Sequence, residues 1–323
     1  MGSHRSERPE IRTFTSKVEV RALSGFKENN PLSKTNYQEL VGDYEFEEPV
    51  RCCFQEDGHN LCRQLHQFGY VVRLKDGTVT IIGNVCAASN FDAEQQITKD
   101  RARHQNEKRR LEKLSRVREL LSSKEANMDR LRTVNGALKT MQKRVGDFMG
   151  EIGAKCEGKL RAMARDGRRD VVITGIKIRR GEEGGEVHEE RTKIELTVGS
   201  LNGLVAIRHG VGQEIFGRIN AVVRAYETAE GLEDHARGRD LENLSVTLSD
   251  VDRIIEDANQ LLTTEEIFFS NDFSALPFLI GETSERVKVA RSLLKVGKQK
   301  AKEWLQAKDA ALRSAYGVNK LEW

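Results

Sequence analysis

Four of the chain's five cysteines lie between Cys52 and Cys86, together with His59 and His66, and they bracket a short, strongly patterned segment. That segment, Gly69 to Asn84, alternates Tyr70, Val72 and Leu74 on one arm and Val79 and Ile81 on the other, with Asp76-Gly77 between them. Alternation around an Asp-Gly pair is the pattern of a β-hairpin, because glycine tolerates the positive φ a tight turn needs. Cysteine and histidine at both ends of a hairpin constrain the fold strongly, since one tetrahedral zinc ion can tie the two ends together. The expected ligands are Cys53, Cys62, His66 and Cys86, with Cys52 or His59 able to replace one member. Three residues separate Cys62 from His66, a spacing that predicts one face of a helical turn, and Gly83 allows close approach just before Cys86. There is no Cys-x-x-Cys pair. The competing expectations are that Cys53 and Cys86 are ordinary buried small residues, or that a cysteine has a redox or catalytic role.

The remainder of the chain points mainly to helix. Charged residues make up 32% of the 323 positions against 38% hydrophobic and 6% aromatic, a balance that favours long exposed helices over one large core. Only 4 prolines interrupt it. The length allows about two domains of roughly 100–200 residues each. No apolar run reaches the ~18 residues needed to span a bilayer, and the polar start lacks the apolar middle of a secretory signal. The expectation is therefore a cytoplasmic protein without membrane contact, its cysteines reduced or metal-bound rather than paired.

Four segments are expected: irregular chain over 1–48, a zinc-binding β module over 49–91, a coiled-coil-like helical region over 92–165, and a β-hairpin with helices over 166–323. In the third segment Leu111, Leu114, Leu121, Met128, Leu131, Leu138, Met141, Val145, Phe148 and Ile152 recur mostly at spacings of 3, 4 and 7. The repeat is weakest over Ser122 to Asn127, which predicts a break rather than one rod; Asn135-Gly136 is a second candidate interruption. A short strand is expected at Lys17 to Ala22. A second hairpin is expected from Asp170, with Val172, Thr174, Ile176 and Ile178 on one parity and Ile194, Leu196 and Val198 on the return arm. Helices are expected near 211–230, 249–263 and 282–316. The fold class is α+β, mainly α.

The net charge of +3 is small, but its distribution is uneven. Lys99 to Arg118 holds Arg101, Arg103, Lys108, Arg109, Arg110, Lys113 and Arg116, which could run along a phosphate backbone. With no aromatic residue in the stretch, such binding would be weakly selective for sequence. The plain alternative is a solvated helix face. A second basic run, Lys288, Arg291, Lys295, Lys298, Lys300 and Lys302, raises the same question. Catalytic signatures are thin: Gly199 to Gln213 lacks the lysine of a phosphate loop, and His209 needs converging carboxylates to be catalytic. The sequence thus reads as a non-enzymatic, nucleic-acid-associated protein with a structural zinc module. The alternative is a coiled-coil scaffold or regulator that contacts a protein partner or itself, with no nucleic acid.

Overall fold

The computed structural model describes residues 12–56, 59–92, 95–183 and 186–323. The fold is α+β and mainly α. It divides into two compact units, Met1–Arg118 with Glu233–Asn243, and Glu119–Leu232 with Leu244–Trp323.

The first unit is built on a four-stranded sheet. Strands β1 (Thr13–Phe14), β2 (Tyr37–Arg51), β3 (Leu65–Leu74) and β4 (Val79–Gly83) lie side by side in chain order. β1 runs parallel to β2, and the other pairs are antiparallel. The expected hairpin is β3–β4, with Tyr70 opposite Ile82 and Val71 opposite Ile81. Its turn holds Gly77 at φ +82° while the Asp76 carboxylate accepts from the Thr78 amide at 2.9 Å. Both faces of this sheet are buried. Tyr70, Val72, Leu74 and Ile82 pack with Cys52, Phe54, Cys86 and Phe91 on one side. Val71, Val79 and Ile81 pack with Phe14, Tyr44, Phe46 and Cys53 on the other.

Residues 12–48 are more regular than expected. The segment expected as a strand is helix α1 (Lys17–Arg21), capped by the Ser16 hydroxyl, which accepts from the Glu19 amide. Ser16-Lys17-Val18-Glu19 is a capping-box pattern, and it outweighs the β-branched valines. β2 is hidden in the sequence because its acidic residues blur the alternation. Its register also slips between Tyr37 and Glu39, Leu40 and Gly42, and Glu45 and Val50, so no strict period of two survives.

After α2 (Asn84–Ser89) comes α3 (Gln96–Ser122), docked on the sheet largely through polar side chains. Tyr37 donates its hydroxyl to Asp100 at 2.8 Å, Gln105 donates to the Tyr70 hydroxyl at 2.7 Å, and Lys108 donates to Asp43 at 2.6 Å. His104 is buried with its Nε2 3.2 Å from Asp43 Oδ1. This is why the apolar repeat is faint in the first half of α3.

The helical path breaks at Ser123, inside the expected interval, and α4 (Lys124–Ile152) follows. Asn135-Gly136 is accommodated inside α4. Leu131, Val134, Leu138, Met141, Val145, Met149 and Ile152 form its buried stripe. In the second unit α4 packs against α6 (Val211–Glu230), α8 (Val251–Phe269) and α9 (Thr283–Leu294), so the seam is covered within the chain. α5 (Ala154–Asp166) leads into the hairpin of β5 (Asp170–Glu183) and β6 (Glu186–Ser200). The two arms differ: on β6 Leu196 is buried and Ile194 and Val198 pack on the core, as one parity, whereas at the base of β5 it is Val171 and Ile173 that enter the core, while Val172 is exposed. α7 (Gly238–Ser249) was not expected. The long C-terminal helix is two helices, because Lys295 adopts φ +52° and ends α9 before α10 (Lys298–Tyr316) begins. Strand β7 (Lys320–Glu322) then completes the order β6-β5-β7.

Candidate metal centre

The site forms where three backbone segments of the first unit converge. At the end of β2 the Cys52 amide donates to Gln64 O at 2.9 Å, and the Arg63 amide donates to Cys52 O at 3.1 Å. The Cys62 amide donates to Phe54 O at 2.8 Å, and Arg63 turns the chain with φ +53°. These bonds close a loop that faces Cys62 toward Cys52. Cys86 arrives from the first turn of α2, directly after β4. The three sulfurs lie within 4.8 Å of one another, with Cys62 and Cys86 at 3.5 Å. Tetrahedral Zn–S bonds of about 2.3 Å require sulfurs about 3.8 Å apart, so the grouping has the right scale for a metal ion.

Cys52, the alternate in the sequence reading, joins this group and Cys53 does not. Adjacent residues in extended chain point to opposite faces. Cys52 therefore packs with Cys86, and Cys53 turns into the other cluster with Phe14 and Tyr44. The helical turn expected for Cys62 and His66 is also absent, since His66 lies in strand β3. His59 is exposed and outside the group; its carbonyl accepts from the Gln55 side chain at 2.7 Å.

His66 stands outside the 4.8 Å group but beside Gly83, where an added Cβ would lie 2.7 Å from its ring. His66 Nδ1 is 2.6 Å from the Tyr44 hydroxyl, and its Nε2 is buried without a hydrogen-bond partner among the described residues. Burial holds the imidazole below its ordinary pKa, favouring the neutral ring. Burial also pushes the Cys52 thiol up, and pushes Cys86 up further with the help of the neighbouring Cys52 sulfur. Without a cation these groups favour their neutral forms; a bound metal would displace the thiol protons.

The candidate phosphate contacts on α3 are mostly engaged inside the first unit. Arg101 donates to Ala87 O and stacks 5.0 Å above the Tyr70 ring. Lys108 binds Asp43, Arg110 binds Glu107 and the carbonyl of Asp234, and Lys113 pairs with Glu242. Arg116 also has an internal partner. Arg103 and Arg109 remain exposed, with no ion pair among the described residues. In the second unit, exposed His209 lines a cleft with Gln142, Arg161 and Arg208 that no carboxylate lines among the described residues. The 3-10 turn Leu204–Ile207 and the start of α6 account for the glycines around it.

Fold and site together define a mainly α, α+β protein whose β module carries three thiols able to hold a metal ion. Among the described residues no helix is long and apolar enough to cross a membrane. Comparison with protein-family models, curated proteins and solved structures finds no match to this chain.

Proposed function

We propose that the β module binds a structural zinc ion through Cys52, Cys62, Cys86 and His66, and that the chain is a non-enzymatic, nucleic-acid-associated protein. The observation that carries the zinc reading is the clustering of three thiols within 4.8 Å of one another; the His66 ring next to Gly83, its buried Nε2 unpartnered among the described residues, is taken as the fourth donor. A buried ring nitrogen left without a partner is costly in a folded protein. Tyr44 has the Ile82 carbonyl 3.4 Å from its hydroxyl as an acceptor, so it can accept the Nδ1 proton of His66 and leave the Nε2 lone pair free. That is how protein groups usually orient a ligating histidine. Three thiolates and one imidazole complete a tetrahedron and leave no open position for substrate, which favours a structural over a catalytic metal.

Metal analysis of the purified protein tests this. About one equivalent of zinc is expected. Cys62→Ser and His66→Ala should each lower it, and Cys53→Ser should not. Zinc below about half an equivalent in the parent protein, or loss only in Cys53→Ser, would overturn the ligand set.

The nucleic-acid reading rests on the clustering of basic residues, since phosphate contacts release counterions and bind most strongly at low salt. A gel shift at low salt tests it, and absence of binding there rejects it. The engagement of α3's cations in internal contacts favours a second reading, a protein scaffold without nucleic-acid contact.

A further inference from the structure

Between Arg286 and Lys302 the chain carries Arg286, Lys288, Arg291, Lys295, Lys298, Lys300 and Lys302 and no acidic residue. The cations of α3 are largely consumed by interactions within their own unit, and these are not. Arg286 is buried against Asp309, and Lys288 donates to Glu285 at 2.5 Å. The other five side chains are exposed and make no ion pair or hydrogen bond among the described residues. The fold also arranges them. Val287 and Ala290 of α9 pack against Ala301 and Leu305 of α10, while Val289, Leu293 and Leu312 pack on the main core of the unit. What remains outward is a cleft of about 460 Å3 lined by Ser284, Lys288, Arg291, Lys298 and Lys302 over a floor of Val287.

We propose that this α9–α10 cleft, rather than α3, is the surface that contacts a nucleic-acid phosphate backbone. The proposal rests on the nucleic-acid reading given above and assigns its place. Lys298 and Lys302 are one helical turn apart, a rise of about 6 Å. That is comparable with the roughly 7 Å axial span of two phosphate steps along one strand. The nearby carboxylates are already occupied: Glu285 by Lys288, Glu282 by Lys155 and Ser284, and Glu303 by Gln299. No aromatic ring lines the cleft, so phosphate contact without base stacking is expected, with little sequence preference. An anionic membrane is a poorer fit, because a surface-seeking face sets large apolar side chains beside its lysines. Here the apolar floor residue, Val287, is 5% exposed, and Leu294, the large apolar side chain of α9 that is exposed, is not among the residues lining the cleft.

The test is fluorescence anisotropy of the full chain with a labelled mixed-sequence duplex over a salt series. Arg291→Gln/Lys298→Gln/Lys302→Gln should weaken binding by about tenfold or more. It should also lower the salt slope by roughly 2 to 3, at about 0.9 for each phosphate that is no longer neutralised. Arg103→Gln/Arg109→Gln should change affinity less than about twofold, and Lys298→Arg/Lys302→Arg should retain binding because the charge is kept. All substituted residues are exposed, and an unchanged melting transition confirms that each variant folds. If the parent chain fails to bind the duplex at low salt, the nucleic-acid reading falls and this assignment with it. If the parent binds and the α9–α10 variant binds equally well, the assignment alone is wrong. Tighter binding to phosphatidylserine vesicles than to the duplex, abolished in the same variant, would overturn it in favour of a lipid surface.

Discussion

Cys52 and Cys53 are identical in chemistry and adjacent in sequence, yet only one faces the metal-binding group. The backbone is extended there, so a displacement of one residue moves a side chain from one face of the sheet to the other. A cysteine pair at a strand end thus announces at most one ligand, although the sequence does not say which. Asp43 shows a similar selectivity among carboxylates. Burial alone would raise its pKa, but the close His104 ring nitrogen and hydrogen bonds from Lys108 and Thr13 outweigh burial and hold the carboxyl well below its usual range. Its folded pKa lies below the unfolded value of about 3.9, so its contribution to stability is fully present above that pH and declines as pH falls through the acid range. Asp43→Asn should cost about 1–3 kcal/mol in urea unfolding at neutral pH. It should also flatten the loss of stability below about pH 4. Parent and variant curves that stay parallel throughout the acid range would contradict this role.

Helices α3 and α4 are consecutive, similar in length and built by different rules. α4 shows the apolar spacing of a helix whose stripe is buried by neighbours, and that spacing is legible in the sequence. The first half of α3 is held by Asp100, His104, Gln105 and Lys108, side chains that a periodicity count scores as solvent-facing. Its positive charge looks available for phosphate for that reason. In α9 the same ambiguity surrounds Arg286, which is 4% exposed. Its guanidinium lies 3.6 Å from the centroid of the Trp323 ring and donates to Asp309 at 2.8 Å, linking α9, α10 and the C-terminal residue. Arg286→Ala should destabilise the protein by about 3 kcal/mol or more, because it strands Asp309 and removes the stacked plane. Arg286→Lys should recover only part of the loss, since an ammonium cannot stack as a planar guanidinium does. A change below about 1 kcal/mol for the alanine variant in denaturant unfolding would show that this interaction is incidental.

The whole molecule consists of two compact units, and the proposed zinc lies in one of them. A ligand that binds only the folded form stabilises it by about 4 kcal/mol at a thousandfold excess over Kd. Chelation should therefore weaken the sheet unit selectively. Amide hydrogen exchange with and without a chelator should show faster exchange in β3 and β4, and unchanged protection in α4 and α8. Equal loss of protection in both units would mean that the metal is not a local fastening. The unit boundary itself is not legible in the sequence, because Glu233–Asn243 returns to the first unit long after Arg118. Arg110 holds that return by donating to the carbonyls of Asp234 and Ala236. Interactions so distant in sequence leave no local pattern.

Local chemistry was enough to determine the β3–β4 hairpin, the helical stripe of α4, the break near Ser123 and the concentration of thiols around one module. Each depends on side-chain periodicity or turn geometry, which act over a few residues. Tertiary structure decided which thiols meet, which histidine nitrogen is left bare, and which arginines and lysines are already occupied. Those outcomes depend on the faces that segments far apart in sequence present to one another, and a linear pattern carries no record of the faces chosen.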